Sequence, residues 1–206
     1  MRYCVFSVLF TVLIASVGYA TPGNKIFYED FSSYSDGEFP VGWKGGDNLC
    51  VVETNQGNIL KYFVNGQYNV TTDEINFSEN FKATIIIKHY YYNEYRDRED
   101  HSLGSDYSDN RKNNSINIQL GEYYICIGDG DIIAGMKGKW PSWKSHSSVF
   151  YGKRFSLSIT KKNKVYYVYL NNEKVIFGRF KNKAINSIRF SSNSKFEIHS
   201  IDVEEI

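Results

Sequence analysis

The feature that most restricts how this chain can fold is a series of short β-strand patterns separated by turn residues. Tyr, Phe, Ile and Val dominate these patterns, and no stretch sustains the i, i+3, i+4, i+7 apolar spacing of an amphipathic helix. Turn signals such as Asn65-Gly66 and Asn171-Asn172 separate them. Strands are predicted over residues 26–31, 49–54, 58–64, 81–92, 115–120, 122–127, 154–160, 164–170, 173–179, 185–190 and 195–204. Regular short strands without helices favour an all-β fold, an antiparallel two-sheet sandwich or a barrel.

Some of these strands are apolar or aromatic on both faces. In "KVYYVYL", residues 164–170, one face carries Val165, Tyr167 and Tyr169, and the other carries Tyr166, Val168 and Leu170. This pattern is typical of a central strand that packs one face into the core and lines a groove with the other.

The first 20 residues have the pattern of a signal peptide. Arg2 supplies a positive charge, residues 5–17 are almost wholly apolar, and Gly18 and Ala20 are small residues where a signal peptidase cuts. The apolar run is about a dozen residues, short of the roughly 20 that cross a bilayer. We predict cleavage after Ala20, a secreted or periplasmic location, and a single β-sandwich domain over residues 21–206.

The charge balance restricts the partners of this chain. Its 24 basic side chains, of which Arg2 lies in the leader, face 23 acidic ones. A balanced chain has no general attraction for nucleic acid or anionic membranes. No later apolar run approaches a membrane span, so we expect neither a nucleic-acid partner nor membrane insertion after signal cleavage.

Two cysteines, Cys50 and Cys126, remain after the leader, and both lie within predicted strands. In an oxidising compartment they can pair as a disulfide, and two separately buried thiols are an equally open alternative. Residues 93–114 are polar and charge-mixed, and are predicted to form a long exposed loop. The acid–base groups of residues 98–101 have no rigid partner there, which favours a solvated charge run.

The order of these pieces resembles a known family. "FYEDFSSYSDGEFPVGW" opens the domain, "FSENFKATIIIKHYYY" supplies a long central strand, and "INSIRFSSNSKFEIHSIDVEEI" closes the chain. The hairpin between the last two reads "RFSLSITKKNKVYYVYLNNEKVIFGRF". The chain resembles the secreted, single-domain kind of concanavalin A-like (laminin G/lectin/glucanase) jelly roll, and the resemblance covers nearly all of residues 21–206.

The resemblance implies two curved antiparallel sheets, a concave face where many members bind glycans, and adjacent first and last strands. Related modules hold a structural calcium at that seam, and the matching positions here are Asp30 and Asp202. Calcium takes six to eight oxygens, so backbone carbonyls would have to supply several. The alternative is that both are edge carboxylates in solvent.

Many glucanases of this superfamily carry Glu-x-Asp-x-Glu on one strand, which places the carboxylates on one face. The nearest match here is Ser200-Ile201-Asp202-Val203-Glu204, in which serine replaces the first glutamate. This segment is expected at the chain end and not on a central strand. Retaining glycosidase chemistry by that route is therefore not expected.

The candidate ligand contacts are aromatic. Trp140 and Trp143 lie in "KWPSWKSH", which is predicted to be a loop between strands, and flat indole rings stack on the apolar faces of sugars. Tyr91 and Tyr167 could line the concave face. The alternatives are tryptophans that cap an open end of the sandwich and tyrosines that form core or cross-strand pairs.

Three functions are consistent with these patterns. The first is a secreted, non-catalytic module that binds a glycan or cell-surface polysaccharide through those aromatic residues. The second is a glycoside-processing hydrolase or lyase, which needs two carboxylates roughly 5–9.5 Å apart on the concave face. The third is a structural or adhesive extracellular domain with no small ligand.

Overall fold

A computed structural model of the chain describes residues 23–63, 68–72, 74–90, 115–128, 131–136, 142–145, 152–179, 184–192 and 194–206. The predicted leader, residues 1–20, and the predicted polar loop, residues 93–114, lie outside these ranges. The described residues form strands and turns. No helix among them is long and apolar enough to cross a membrane.

The described ranges contain fifteen strands. In chain order they are β1 (Lys25–Glu29), β2 (Trp43–Lys44), β3 (Leu49–Thr54), β4 (Gly57–Tyr62), β5 (Tyr68–Thr72), β6 (Phe81–His89), β7 (Ile116–Leu120), β8 (Tyr123–Gly128), β9 (Asp131–Met136), β10 (Ser142–Ser145), β11 (Arg154–Lys162), β12 (Val165–Leu170), β13 (Glu173–Arg179), β14 (Ile188–Ser192) and β15 (Phe196–Glu205).

The strands form two antiparallel sheets. The eight-stranded sheet has the order β13-β12-β11-β6-β15-β4-β3, with β1 paired to β15, and the seven-stranded sheet has the order β10-β9-β8-β7-β14-β5-β2. Strands distant in the chain are neighbours in both sheets, as where β14 lies between β7 and β5. The predicted all-β, two-sheet antiparallel sandwich is confirmed.

Each of the eleven predicted strand segments overlaps an observed strand, with shifts at the ends. The segment 81–92 ends at His89, and the segment 185–190 is observed as β14 over residues 188–192. Four strands, β2, β5, β9 and β10, are not predicted by the sequence patterns. β2 has two residues, β9 contains Gly135 in a short apolar run, and β10 has the polar sequence SWKS, so local pattern signals each of them weakly.

The inner faces of the two sheets enclose one hydrophobic core. In β6 the burial alternates strictly, with Ile85 and Ile87 fully buried and Ile86 half-buried on the outer face. In β12 the same alternation buries Tyr166, Val168 and Leu170 and leaves the other face half-buried, as the sequence predicts. The seven-stranded sheet contributes Ile116, Ile118, Leu120, Ile125, Ile127 and Phe190 to this core.

The first and last strands lie side by side, as the resemblance implies. β1 pairs with β15, and Tyr28 is opposite Asp202. On its other side β15 pairs with β6 along most of its length. The expectation that the Ser200–Glu204 segment does not lie on a central strand is therefore wrong, because the last strand is inserted between β6 and the strands β1 and β4.

The Asn171-Asn172 turn is observed as predicted. Leu170 pairs with Glu173 across it, and Asn171 and Asn172 have φ angles of 47° and 69°. Two consecutive positive φ values are typical of a type I′ turn, which matches the twist of a hairpin and which asparagine adopts more readily than most residues.

A polar contact links the two sheets at one end of the sandwich. His89 ends β6 in the eight-stranded sheet and is only 3 % exposed. Its Nε2 lies 2.5 Å from the Ser194 hydroxyl and 3.3 Å from that of Ser192, the last residue of β14 in the other sheet. Burial lowers the pKa of His89 to about 4, so the imidazole is neutral at pH 7.

Candidate functional site

The outer faces of the two sheets differ in the arrangement of their charged side chains. On the eight-stranded sheet, opposite charges pair between neighbouring strands. Lys25 Nζ lies 3.4 Å from the Asp202 carboxylate, and Lys82 Nζ lies 3.1 Å from that of Glu204. Cross-strand neighbours thus neutralise much of the charge on this face.

The most buried charge on the same face is Glu197 of β15. Its carboxylate lies 3.3 Å from Lys61 Nζ and 3.8 Å from Lys88 Nζ, and it accepts a hydrogen bond of 2.5 Å from the Tyr90 hydroxyl. His199 Nε2 is 3.5 Å away. Strand register explains the arrangement, because Glu197 is directly opposite Lys61 on β4 and Lys88 on β6.

The pKa values of Glu197, Tyr90 and His199 are all shifted, and each group keeps a single protonation state at neutral pH. Burial alone would raise the pKa of Glu197, but the Tyr90 hydrogen bond and the charges of Lys88 and Lys61 outweigh it and lower the pKa. Burial and the bond to Glu197 raise the pKa of Tyr90 to about 12. Burial lowers the pKa of His199. At pH 7 the carboxylate is therefore charged, and the phenol and imidazole are neutral, which describes a stabilising network.

Replacing Glu197 with alanine is expected to lower the free energy of unfolding by about 2 kcal/mol. Removing one partner of a buried charge cluster costs about 3–5 kcal/mol in general. Here the side chains of Lys61 and Lys88 are 31 % and 28 % exposed, so both ammonium groups can turn toward water and recover part of that loss.

Urea unfolding of Glu197→Ala measures this loss, with Glu204→Ala as the matched control. Glu204 pairs with Lys82, and both side chains are about a third exposed or more, at 32 % and 43 %. The control should lose no more than about 1 kcal/mol. Equal losses in the two variants would contradict the burial of Glu197.

The outer face of the seven-stranded sheet carries two registered rows of a different character. Antiparallel partners directly opposite each other share a face, so the rows follow from the pairing of β2, β5, β14, β7, β8 and β9. The first row is Asn69, Ser191, Asn117, Cys126 and Ile133. The second row is Lys44, Thr71, Arg189, Gln119 and Tyr124. We call these two rows the polar face.

The polar face is built from neutral hydrogen-bonding groups, one aromatic ring and two cations. Amides and hydroxyls alternate with fully buried core residues along β7 and β14. Gln119 Nε2 donates to the carbonyl of Gly121 at 2.6 Å, and Arg189 Nε donates to Thr71 Oγ1 at 3.3 Å. Neither row contains a carboxylate. Such a surface can donate to and accept from several hydroxyls at once.

The two predicted aromatic site residues within the described ranges, Tyr167 and Trp143, lie in different sheets. Tyr167 is half-buried on the outer face of β12, opposite Thr160 on β11 and Phe177 on β13, in the eight-stranded sheet. Trp143 lies on β10 in the other sheet. The expectation that Trp143 lies in a loop is wrong, because residues 142–145 pair with β9. Trp140 and Tyr91 lie outside the described residues.

Strand register does connect Trp143 with the polar face. Trp143 is directly opposite Ile133, the last residue of the first row. The backbone therefore places this tryptophan position at the end of that row.

Sequence reasoning missed the polar face, although part of its signal is local. In "INIQL" and "YYICIG", Asn117, Gln119 and Tyr124 alternate with isoleucines and other apolar residues, which marks an outward polar face. The contributions of Asn69 and Arg189 come from β5 and β14, and no local pattern shows that β14 lies beside β7 or that β5 lies beside β14.

The proposed calcium ligands are already engaged. Asp30 Oδ1 accepts hydrogen bonds from the Ser32 amide at 3.0 Å and hydroxyl at 2.6 Å, and Oδ2 accepts one from Tyr28. Asp202 pairs with Lys25 through Oδ2, while its Oδ1 is buried without a hydrogen bond. No group of three or more His, Cys, Asp or Glu side chains suited to a metal occurs in the described part of the chain. Asp30 and Asp202 by themselves cannot supply the six to eight oxygens that calcium takes.

The two cysteines are free thiols. Cys50 lies on β3 in the eight-stranded sheet, and Cys126 lies on β8 in the other sheet. Burial raises the pKa of both thiols, so both are protonated at pH 7. The sequence left open a disulfide or two separate thiols, and in the structure Cys50 and Cys126 are separate thiols.

A cavity of about 270 Å³ lies at the end of the sandwich where β6 begins. Phe77, Phe81 and Ile185 line it, and the buried Lys161 ammonium at its wall donates to the carbonyl of Glu79. Ligand pockets commonly measure about 300–1,000 Å³, so this cavity is small.

Two antiparallel sheets over one core, with the first and last strands adjacent in the same sheet, define a jelly-roll β-sandwich. Among solved structures, the chain is similar to the VIP36 exoplasmic/lumenal domain in its calcium- and Man3GlcNAc-bound form, with a TM-score of 0.58 and 8% identity over 82% of this chain and 87% of that one. It is also similar to the carbohydrate recognition domain of Emp47p, with a TM-score of 0.58 and 9% identity over 90% and 98% of the two chains.

A third similar structure is the carbohydrate-binding module CBM66 from Bacillus subtilis, with a TM-score of 0.51 and 9% identity over 80% of this chain and 96% of that one. No protein-family model matches the sequence, and neither does any curated protein. The chain has the concanavalin A-like jelly-roll fold, and the predicted resemblance is confirmed.

Proposed function

We propose that this protein is a secreted, non-catalytic β-sandwich module that binds a glycan on the polar face of its seven-stranded sheet. The observation that carries the proposal is the pair of registered rows, in which amides, hydroxyls and a tyrosine cover four neighbouring strands, β5, β14, β7 and β8, without a carboxylate in either row. The similar VIP36, Emp47p and CBM66 domains bear names or ligands that refer to carbohydrate.

The chemistry of the face suits a saccharide. A sugar presents many hydroxyls, each a donor and an acceptor, and the amides of Asn69, Asn117 and Gln119 can serve both roles. The ring of Tyr124 and the Trp143 position at the end of the first row supply aromatic partners for the apolar faces of a sugar. The opposite sheet offers charge pairs that already satisfy one another.

Secretion is supported by the leader pattern of residues 1–20, which ends at the small residue Ala20. A secreted module meets extracellular or cell-surface polysaccharides, and these are the ligands we propose. Calcium, for which Asp30 and Asp202 are the predicted ligands, would act at the seam of β1 and β15, which belongs to the other sheet.

Replacing Asn117 and Gln119 together with alanine is expected to weaken glycan binding by roughly tenfold or more. The substitutions remove two amides at the centre of the polar face, and each hydrogen bond contributes about 0.5–1.5 kcal/mol. Screening of residues 21–206 on a glycan array, followed by calorimetric titration with the best ligand, measures the effect. Both steps are run with calcium and with a chelator.

The matched control is Thr84→Ala/Thr160→Ala, which removes two half-buried hydroxyls from the outer face of the other sheet. Its affinity should equal that of the wild type. A Trp140→Ala/Trp143→Ala variant tests the aromatic contacts, and its expected result is weaker binding. Binding that survives in the Asn117/Gln119 variant would remove the polar face as the site, and the absence of any glycan ligand would favour a structural or adhesive domain.

A further inference from the structure

Arg189 is the middle residue of the second row and is exposed. Its Nε donates to Thr71 Oγ1 on the neighbouring strand at 3.3 Å, which orients the plane of the guanidinium. None of the ion pairs between described residues involves Arg189. Within the described ranges, no carboxylate therefore lies within ion-pair distance of the two Nη groups on the polar face.

The second cation of the face strengthens this charge. Lys44 on β2 is exposed and is opposite Thr71, which in turn is opposite Arg189. Two strand spacings separate the two cationic residues by roughly 10 Å. An anion that lies between the two side chains is about 5 Å from each of them, within the Debye length of about 8 Å at physiological salt, so both charges attract it.

The contrast with the opposite sheet makes this arrangement informative. There, Lys25, Lys61, Lys82 and Lys88 all lie within 4 Å of a carboxylate on a neighbouring strand. These four lysines of the eight-stranded sheet are thus paired with carboxylates, whereas no ion pair between described residues involves Lys44 or Arg189. An external anion can take the place that a cross-strand carboxylate occupies elsewhere.

We infer that the glycan bound by the polar face is acidic, and that the Arg189 guanidinium binds a uronic-acid carboxylate. This inference rests on the proposed function and specifies the class of its ligand. The two Nη groups match a planar carboxylate as a bidentate fork, and a guanidinium with its Nε already bonded loses little further freedom on binding. The amides of Asn117 and Gln119 bind neighbouring hydroxyls, and Lys44 attracts a second acidic sugar along the chain.

The test compares polygalacturonate with its fully methyl-esterified form, in which each carboxylate is replaced by an uncharged methyl ester. Isothermal titration calorimetry of the wild-type protein should give at least about tenfold tighter binding of polygalacturonate, since charge-assisted hydrogen bonds are about twice as strong as neutral ones. The preference for polygalacturonate should shrink as the sodium chloride concentration rises from 50 to 500 mM, because salt screens an exposed ion pair. The ester should bind with an affinity that is nearly independent of salt.

Variants distinguish glycan binding by the polar face from carboxylate binding by Arg189. Arg189→Gln should remove the preference for polygalacturonate while leaving thermal stability unchanged, because the side chain is exposed. Arg179→Gln makes the same change at an exposed arginine of β13 on the other sheet and should keep the preference. Asn117→Ala/Gln119→Ala should weaken binding of both polymers.

Four results would overturn the inference. Equal binding of the acid and the ester would do so and leave the glycan-binding face standing. A preference that survives in Arg189→Gln would place the charge contact elsewhere. Dextran sulfate binding as tightly as polygalacturonate, and losing that affinity in Arg189→Gln, would replace the carboxylate assignment with a general oxyanion site. If neither these polymers nor any glycan of the array binds, the proposed function fails as well.

Discussion

Replacing Phe31 with alanine is expected to lower the free energy of unfolding by about 3–5 kcal/mol, the usual cost of truncating a buried phenylalanine. The side chain of Phe31 is fully buried between the sheets, and its ring centroid lies 5.6 Å from that of Trp43. Trp43 in turn stacks on Phe190, with the ring planes at 13°. The substitution therefore leaves a cavity beside two other aromatic rings.

Phe31 also has an unusual backbone, which yields a sharper comparison. Its φ is 62°, in the left-handed region that costs a non-glycine residue about 1–2 kcal/mol. Hydrogen bonds hold it there, from its own amide to Glu29 Oε1 at 2.7 Å and from Asn58 Nδ2 to its carbonyl at 3.3 Å. Phe31→Gly should therefore be more stable than Phe31→Ala by about 1 kcal/mol, because glycine adopts this conformation freely.

Phe155 on β11 provides the control for that comparison. It is equally buried, at 2 % exposed, and has no positive φ. At Phe155 the glycine variant should be less stable than the alanine variant by about 0.5–1 kcal/mol, the normal order within a strand. Denaturant unfolding of the four variants measures both differences. If the alanine variant is more stable than the glycine variant at both positions, the strained conformation at Phe31 is refuted.

Lowering the pH from 7 to 5 is expected to destabilise the fold by about 2 kcal/mol through His89 alone, and by about 3 kcal/mol at pH 4. The pKa of His89 is lowered from 6.5 to about 4 by burial. Between pH 6.5 and about pH 4, the unfolded chain binds a proton at His89 that the folded chain does not bind. The stability associated with the neutral imidazole is therefore complete above pH 6.5 and is lost as the pH falls toward 4.

His89→Asn isolates this effect from the carboxylates, which titrate in both proteins. Urea unfolding at pH 7, 6, 5 and 4 should show the wild type losing more stability with acid than the variant, with the gap opening below pH 6.5. His199, whose pKa burial also lowers, contributes in the same direction and remains in both proteins. Parallel stability curves for the two proteins would mean that His89 is not held neutral at the end of the sandwich.

The two-residue period of β-strands explains what can be predicted locally. In β6 and β12, runs of isoleucine, valine and tyrosine predict the strands, and the two-residue period divides their side chains between two faces, since successive side chains of a strand must point in opposite directions. Both faces of β12 are apolar or aromatic, so the period alone does not show which of them enters the core. The Asn171-Asn172 hairpin is equally predictable, because asparagine tolerates positive φ. The sequence around Trp143 wrongly indicates a loop, because the short polar strand that carries this residue has no such alternation.

Strand neighbours explain what cannot be predicted locally. Asn69, Ser191 and Asn117 lie on β5, β14 and β7 and meet only because β14 is inserted between two strands distant from it in the chain. The Glu197 network has the same origin, since β15 brings its carboxylate between lysines of β4 and β6. Neither arrangement leaves a spacing along the sequence that a pattern could detect.

The strand content and the division of each long strand into two faces follow from the amino-acid sequence, because alternation and turn chemistry are properties of adjacent residues. The jelly-roll class follows from the resemblance in the order of the strand segments. Which polar side chains share a face follows instead from the three-dimensional arrangement of the strands. The pairing of distant strands depends on the register of whole sheets. That pairing gives one sheet a surface of paired opposite charges and brings Arg189, Asn117 and Gln119 together on the other.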